Sequence, residues 1–196
     1  MIERRAYQTL ITENGNTLKG LASPVYDGTQ GTQYQLTEGI VERFAEGAFD
    51  DYLSGNPDVV ALWNHDANHV LGRTPNTLRL RTDGKGLHYE VDLPDTTMGK
   101  DIKTSIARGD IRGSSFAFVP DEVEWIEEKD MDIRLIRKAR LFDVSPVTSP
   151  AYGSSNVGLR SNEERKAIET ERNDYRNKLQ TEKWIARINT LNAASK

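Results

Sequence analysis

The chain of 196 residues carries 26 Lys+Arg against 30 Asp+Glu, a formal net charge of −4, with 36% hydrophobic residues and no cysteine. That length fits one folded domain with room for an appendage, and zero cysteine removes disulfide scaffolds, zinc fingers, thiol nucleophiles and thiol redox chemistry. The longest apolar stretch, Val59-Val60-Ala61-Leu62-Trp63, falls far short of the ~20 residues that span a bilayer.

The start, Met1-Ile2-Glu3-Arg4-Arg5, lacks the apolar core of a signal peptide, and slight acidity argues against nucleic acid as the main partner. The expectation is a soluble, cytosolic globular protein. In chain order, Tyr7, Thr9 and Ile11 alternate as a strand before Asn14-Gly15, a hairpin signal, and Leu18 opens the returning strand. A first helix is expected over roughly Val41 to Leu53, burying Phe44, Phe49 and Leu53. Val59 to Trp63 reads as a short apolar strand. Leu78 and Leu80 lead into Asp83-Gly84, and Leu87, Tyr89, Val91 and Leu93 then alternate, which makes a second hairpin. A second helix takes Thr97 as its cap, carries Met98, Ile102 and Ile106, and stops at Gly109. Ser114 to Val119, Glu122 to Ile126, Ile133 to Ile136 and Leu141 to Val147 complete about eight strands. Many short strands with two inserted helices suggest a mainly β, α+β fold, a barrel or sandwich with peripheral helices.

Composition breaks near residue 160. All 15 Gly and all 7 Pro precede it, and the segment from Ser161 to Lys196 has neither. That tail holds 8 Lys+Arg and 6 Asp+Glu, net +2, which leaves −6 for the first 160 residues. Without turn punctuation the tail reads as helix, opened by Ser161 and Glu164 in capping-box spacing. Its apolar residues, Ile168, Tyr175, Leu179, Trp184, Ile185, Ile188 and Leu191, are sparse at first, which suits a projecting element. The expected division is therefore 1–160 and 161–196, the second part either packed on the first or serving as a docking arm for a partner or a second copy.

Chemistry has few carriers. The only histidines are His65, His69 and His88. His65 and His69 stand at i and i+4, a spacing that on a helix binds one metal ion. The preceding residues read as strand, however, and Gly72 closes the segment. A histidine can instead act as the base for a hydroxyl nucleophile. In Arg112-Gly113-Ser114-Ser115-Phe116-Ala117-Phe118, strand alternation puts Ser114 on the face of the two phenylalanines and Ser115 on the face of Ala117. If either serine is a nucleophile, Ser115 is the better candidate, because Ala117 leaves room beside it. Taken alone, a serine pair in a strand reads as structural. Asp143, between Phe142 and Val144, stands either on a solvent face or partly buried, where it would orient an imidazole.

These same residues belong to ordered blocks that resemble the tailed-phage prohead proteases, or capsid maturation proteases, relatives of the herpesvirus assemblins. The blocks are Gly20 to Tyr26, Glu46-Gly47-Ala48-Phe49, Val60 to His65 with Leu71-Gly72-Arg73-Thr74, Leu87 and its strand, Gly109-Asp110 with Ser114 to Phe118, and Asp143 to Tyr152. They cover roughly residues 5 to 155. The resemblance implies a serine endopeptidase with His65 as base and Ser115 as nucleophile. The acid maps to Asp143, where the family more often has Glu and the assemblins use a second histidine. Ala117 stands where Gly is common. The order His, Ser, acid differs from trypsin-like, subtilisin-like and α/β-hydrolase orders. Oxyanion donors are sought at the backbone of Ala151 to Gly153 or at Arg112.

The implied fold is an assemblin-like closed or partly closed β-barrel of about seven or eight strands ringed by helices. The implied biology is cleavage of scaffold, or of the scaffold-like segment of the capsid protein precursor, inside a procapsid in the host cytoplasm, followed by self-cleavage. No cofactor, membrane or nucleic-acid partner is implied, and a dimer is compatible. The tail would then be a packaging, scaffold-binding or self-cleaved arm. Two other readings stand beside this one: a metal-dependent hydrolase using His65 and His69, and a non-enzymatic capsid assembly factor.

Overall fold

Strand pairing is organised by tight hairpins and two long strands. The computed structural model describes residues 1–8, 11–129, 131–148 and 162–194. β1 (Glu3–Gln8) opens the chain, and β2 (Thr12–Asn14) turns through Gly15, at φ 63°, into β3 (Thr17–Pro24). A single 3₁₀ turn at Gln30–Thr32 precedes the antiparallel pair β4 (Tyr34–Thr37) and β5 (Ile40–Phe44). α1 (Asp50–Ser54) is one short helix. β6 (Val60–Trp63) pairs with β7 (Asp66–Arg73), and β8 (Leu78–Asp83) with β9 (Gly86–Asp92). α2 (Thr97–Ala107) leads to the longest hairpin, β10 (Gly113–Glu128) with β11 (Met131–Val147). α3 (Asn162–Ala194) follows.

The fold is α+β and mainly β, but no closed barrel is found among the described residues. Among the described residues eleven strands form two sheets, against the about seven or eight strands of the expected closed or partly closed barrel. The four-stranded sheet runs β2-β3-β9-β8, and the seven-stranded sheet runs β1-β10-β11-β5-β4 with β6 and β7 off the path. The branch arises because β11 is long enough to take two parallel partners on one edge. Its first half pairs with β5 (Asp132↔Ile40 to Ile136↔Phe44), and its second half with β6 (Asp143↔Val60, Val144↔Ala61).

Several local expectations change. The helix expected over Val41 to Leu53 splits into β5 and α1, because Ile40, Val41, Glu42 and Phe44 are all buried and follow β11 in parallel, and Gly47 then turns the chain at φ 74°. Phe44 and Phe49 are buried as expected, and Leu53 is partly so. Tyr7 and Ile11 do not share one strand: Tyr7 lies in β1 of the larger sheet, and β2 of the smaller sheet begins only at Thr12. Thr9 lies outside the described residues. Both hairpins stand, at Asn14↔Thr17 and Asp83↔Gly86. α2 is capped by Thr96, whose side chain accepts from the Gly99 amide, one residue earlier than expected.

The chain divides into two units, Met1–Asn156 and Val157–Lys196. In the second, α3 runs for 33 residues with Trp184, Ile185 and Leu191 exposed. Ser161, the expected cap, lies outside the described residues. No helix among the described residues is long and apolar enough to cross a membrane.

In the first unit the core is aromatic. Phe44 meets Phe116 and Phe118 edge-on, at centroid distances of 5.3 and 5.1 Å, and Phe49 meets Phe116 likewise. At one end of this cluster lies a buried ion network. Glu42 on β5 accepts from Arg5 on β1 and from Arg134 on β11, the latter at 2.6 Å, and Glu3 accepts from both arginines. Arg5 and Glu42 are 1% and 0% exposed. Burial alone would lower the Arg5 pKa, yet the charges of Glu42 and Glu3 hold it above the ordinary arginine value, so the Arg5 guanidinium stays charged. A buried pair contributes little net stability when whole, but losing one partner strands a charge. Glu42→Ala is therefore expected to lower the unfolding free energy by about 3–5 kcal/mol, measured by urea denaturation at neutral pH; a loss below about 1 kcal/mol would show that water replaces the carboxylate.

Candidate active site

The site is assembled from β10, β11 and one hairpin tip. Trp63 on β6 pairs with Asp66 on β7, so the loop between them has two residues, Asn64 and His65. Both have positive φ, 50° and 59°, as a type I′ hairpin requires. Asn and His are among the few side chains that tolerate this region. The backbone and the Asn64 side chain of the tip are tied to the end of β11 and to Thr148 just beyond it. The Asn64 amide donates to the Pro146 carbonyl (3.3 Å), the Asn64 Oδ1 accepts from the Thr148 amide (3.2 Å), and the His65 amide donates to Ser145 Oγ (3.3 Å).

Strand register supplies the other two groups. Ser115 on β10 lies opposite Ser145 on β11, and Ala117 lies opposite Asp143. The four residues share one face of the sheet, and Phe116 and Val144 turn to the other, into the core. The imidazole of His65 bridges this face. Its Nδ1 lies 2.6 Å from Asp143 Oδ1 and its Nε2 lies 2.5 Å from Ser115 Oγ. With the Nδ1 proton directed to the carboxylate, Nε2 is left as an acceptor for the serine hydroxyl. Ser115 is only 3% exposed, and its Oγ also lies 2.8 Å from the Arg5 carbonyl on β1. That carbonyl is held in place by the ion network through its own side chain.

The structure thus brings His65, Ser115 and Asp143 together, and Asp143 is buried rather than on a solvent face. It does not unite the two histidines of the metal reading. The segment from His65 to His69 belongs to a hairpin and not a helix, because the chain turns at Asn64 and His65 and β7 pairs back on β6. His65 engages Asp143, and His69 Nδ1 instead lies 2.8 Å from Asp66. Among the described residues no group of three or more metal-ligating side chains gathers. His88 lies 2.9 Å from Asp83, whose carboxyl is held well below the usual range first by Arg81, then by the Lys85 amide and His88. Arg112 is exposed just before β10, with no hydrogen bond to the site among the described residues. Ala151 to Gly153 lie outside the described residues.

Sequence reasoning missed Ser145, the Arg5 carbonyl and the turn role of Asn64. Alternation from Asp143 would have put Ser145 on the same face, but only the pairing of β10 with β11 brings it opposite Ser115.

Residues 2–170 match the model of the caudovirus prohead serine protease family, and the chain belongs to that family. It is therefore a serine peptidase of the capsid-maturation class. The matched span includes all three residues brought together here. No curated protein and no solved structure matches the chain.

Ser114 is engaged elsewhere. Tyr89 on β9 of the smaller sheet reaches across the core, and its hydroxyl lies 3.0 Å from Ser114 Oγ. Gly20, the partner of Tyr89 across β3 and β9, makes room for the ring; a Cβ there would sit 2.5 Å from it. Burial pushes the Tyr89 hydroxyl up to about 12, against a smaller opposing effect of the bond to Ser114. Because the folded value lies above the ordinary 10, this group's contribution to stability is complete below pH 10 and is lost as pH rises towards 12. The loss amounts to about 2–3 kcal/mol across that window. Denaturant titrations at pH 9 and pH 12 are expected to show it in the wild type, and Tyr89→Phe is expected to flatten it; equal pH dependence in both would assign the loss to other groups.

Proposed function

We propose that this protein is a serine endopeptidase in which Ser115 is the nucleophile, His65 the general base and Asp143 the residue that orients the base. The single observation that carries this reading is the continuous relay from Asp143 Oδ1 through both ring nitrogens of His65 to Ser115 Oγ, at 2.6 and 2.5 Å. His65 accepts the hydroxyl proton as Ser115 attacks a peptide carbonyl, and then delivers it to the leaving amine. Asp143 keeps the proton on Nδ1 and stabilises the imidazolium that forms. The developing oxyanion needs fixed donors, and the backbone amides of Ala151 to Gly153 and the Arg112 guanidinium are the proposed sources.

From its family, the proposed substrate is scaffold, or the scaffold-like segment of the capsid protein precursor, cleaved within the procapsid, with self-cleavage following. The proposed division of labour is a protease domain over 1–160 and a helical arm over 161–196 that serves packaging, scaffold binding or self-removal. We further propose that the two sheets of the first unit correspond to the partly closed barrel of the assemblins. The i, i+4 metal reading is supported by no pairing of His65 with His69.

Co-expression of the chain with its cognate capsid precursor, read on a gel, tests the assignment. Ser115→Ala is expected to abolish cleavage while leaving a folded protein, and Asp143→Asn to lower kcat by roughly 10⁴-fold. Cleavage that survives in Ser115→Ala and is lost to a chelator would transfer the activity to a metal; variants of all three residues that cleave like wild type would leave an assembly role.

A further inference from the structure

Ser145 is the one side chain among the described residues that joins the base to the acid without belonging to the relay. It is 0% exposed. Its hydroxyl has one proton and two lone pairs, and the geometry uses both kinds of group. The proton is directed to Asp143 Oδ1 at 3.0 Å, and a lone pair accepts the His65 backbone amide at 3.3 Å. The oxygen lies a further 3.5 Å from His65 Nδ1, whose proton goes to the nearer carboxylate.

Two features separate this arrangement from an ordinary satisfied core serine. The carboxylate oxygen that Ser145 binds is Oδ1, the same one that faces His65 Nδ1. That atom therefore takes two donors, and its carboxylate has less freedom to rotate. The amide it accepts belongs to His65 itself, which sits in a left-handed turn and would leave that N–H without a partner if the oxygen were removed. One atom thus references both the backbone of the base and the carboxylate of the acid. The β10–β11 register adds a third reference, since Ser145 is the cross-strand partner of Ser115.

Resting on the assignment of His65, Ser115 and Asp143 above, we infer that Ser145 is a positioning residue that sets the His65 imidazole between Asp143 and Ser115. The other two bonds at the hairpin tip, from the Asn64 amide to the Pro146 carbonyl and from the Thr148 amide to Asn64 Oδ1, hold the turn at the end of β11 but touch neither the acid nor the base. They fix where the tip is, and Ser145 fixes how the ring is aimed. A misplacement of about 1 Å costs on the order of 10²-fold in rate, which sets the size of the expected effect.

The test compares wild type, Ser145→Ala, Ser145→Thr and Ser115→Ala in the full chain, with three measurements. These are peptide-cleavage kinetics on a fragment of the cognate capsid precursor, the rate of labelling by a fluorophosphonate, and the downfield proton resonance of the His65 Nδ1–H. Ser145→Ala is expected to lower kcat and the labelling rate by roughly 10²-fold with KM unchanged, and to move or broaden the downfield resonance. Ser145→Thr keeps the hydroxyl and is expected to restore the resonance and most of the labelling rate.

A Ser145→Ala variant that labels and cleaves at the wild-type rate with the resonance in place overturns the inference. So does a loss confined to KM, or one that Ser145→Thr fails to reverse. If instead Ser115→Ala still cleaves and labels, the nucleophile assignment itself has failed, and that control identifies this failure separately. Melting temperatures of all four proteins, with assays run well below the lowest, keep lost fold from passing as lost positioning.

Discussion

The register of β10 against β11 puts Ser115 opposite Ser145 and Ala117 opposite Asp143, and the remaining geometry of the site follows from that alignment. Side chains alternate along a strand, so a slip of one residue would carry Ser115 into the aromatic core and bring Ser114 out. The phenylalanines prevent it. Phe116 and Phe118 are fully buried against Phe44 and Phe49, and moving them to the other face would expose two aromatic rings at a cost of several kcal/mol. Tyr89 reinforces the same choice from the other sheet by binding Ser114. Hydrophobic packing on one face of β10 thereby fixes polar chemistry on the other.

Two devices carry that register to the side chains of the site. The first is the type I′ turn at Asn64 and His65, which lets a four-residue strand reverse at once and swing an imidazole back over β11. Because β6 is paired in parallel with the second half of β11, the tip arrives beside Pro146 and Ser145 rather than anywhere else along the strand. The second device is the buried network of Glu3, Arg5, Glu42 and Arg134. It joins β1, β5 and β11, and so places the Arg5 carbonyl next to Ser115 Oγ. A hydroxyl has a single proton, so the Arg5 carbonyl and His65 Nε2 are alternative acceptors for it. Low exposure and these two acceptors confine the resting hydroxyl to two directions.

Much of this was legible residue by residue. The alternation of Ser114, Phe116 and Phe118 against Ser115 and Ala117 separated the two serines, and turn signals at Asn14-Gly15 and Asp83-Gly84 located two hairpins. The stretch from Val41 to Phe44 reads as helix in the sequence, because a strand buried on both faces has no alternation and its Glu42 is buried by two arginines from distant strands. β7 was missed for the opposite reason: Ala67, Asn68, His69 and Val70 are exposed, so no apolar period marks it. The branch at β11 was invisible, since nothing in the local pattern of a 17-residue strand states that it will change partners halfway along.

The sequence by itself determined the residue types available for chemistry: no thiol, three histidines, one well-placed serine, and an acid in an apolar strand. It also determined the family, through ordered blocks that each span only a few residues. Only the tertiary structure decided that His65 and not His69 lies at the serine, that Asp143 is buried beside it, and that Ser145 ties the two together. Those decisions depend on pairings between residues 50 to 80 positions apart. Local propensity is silent on such contacts, whose cost in chain entropy is met only by the packing of the whole sheet.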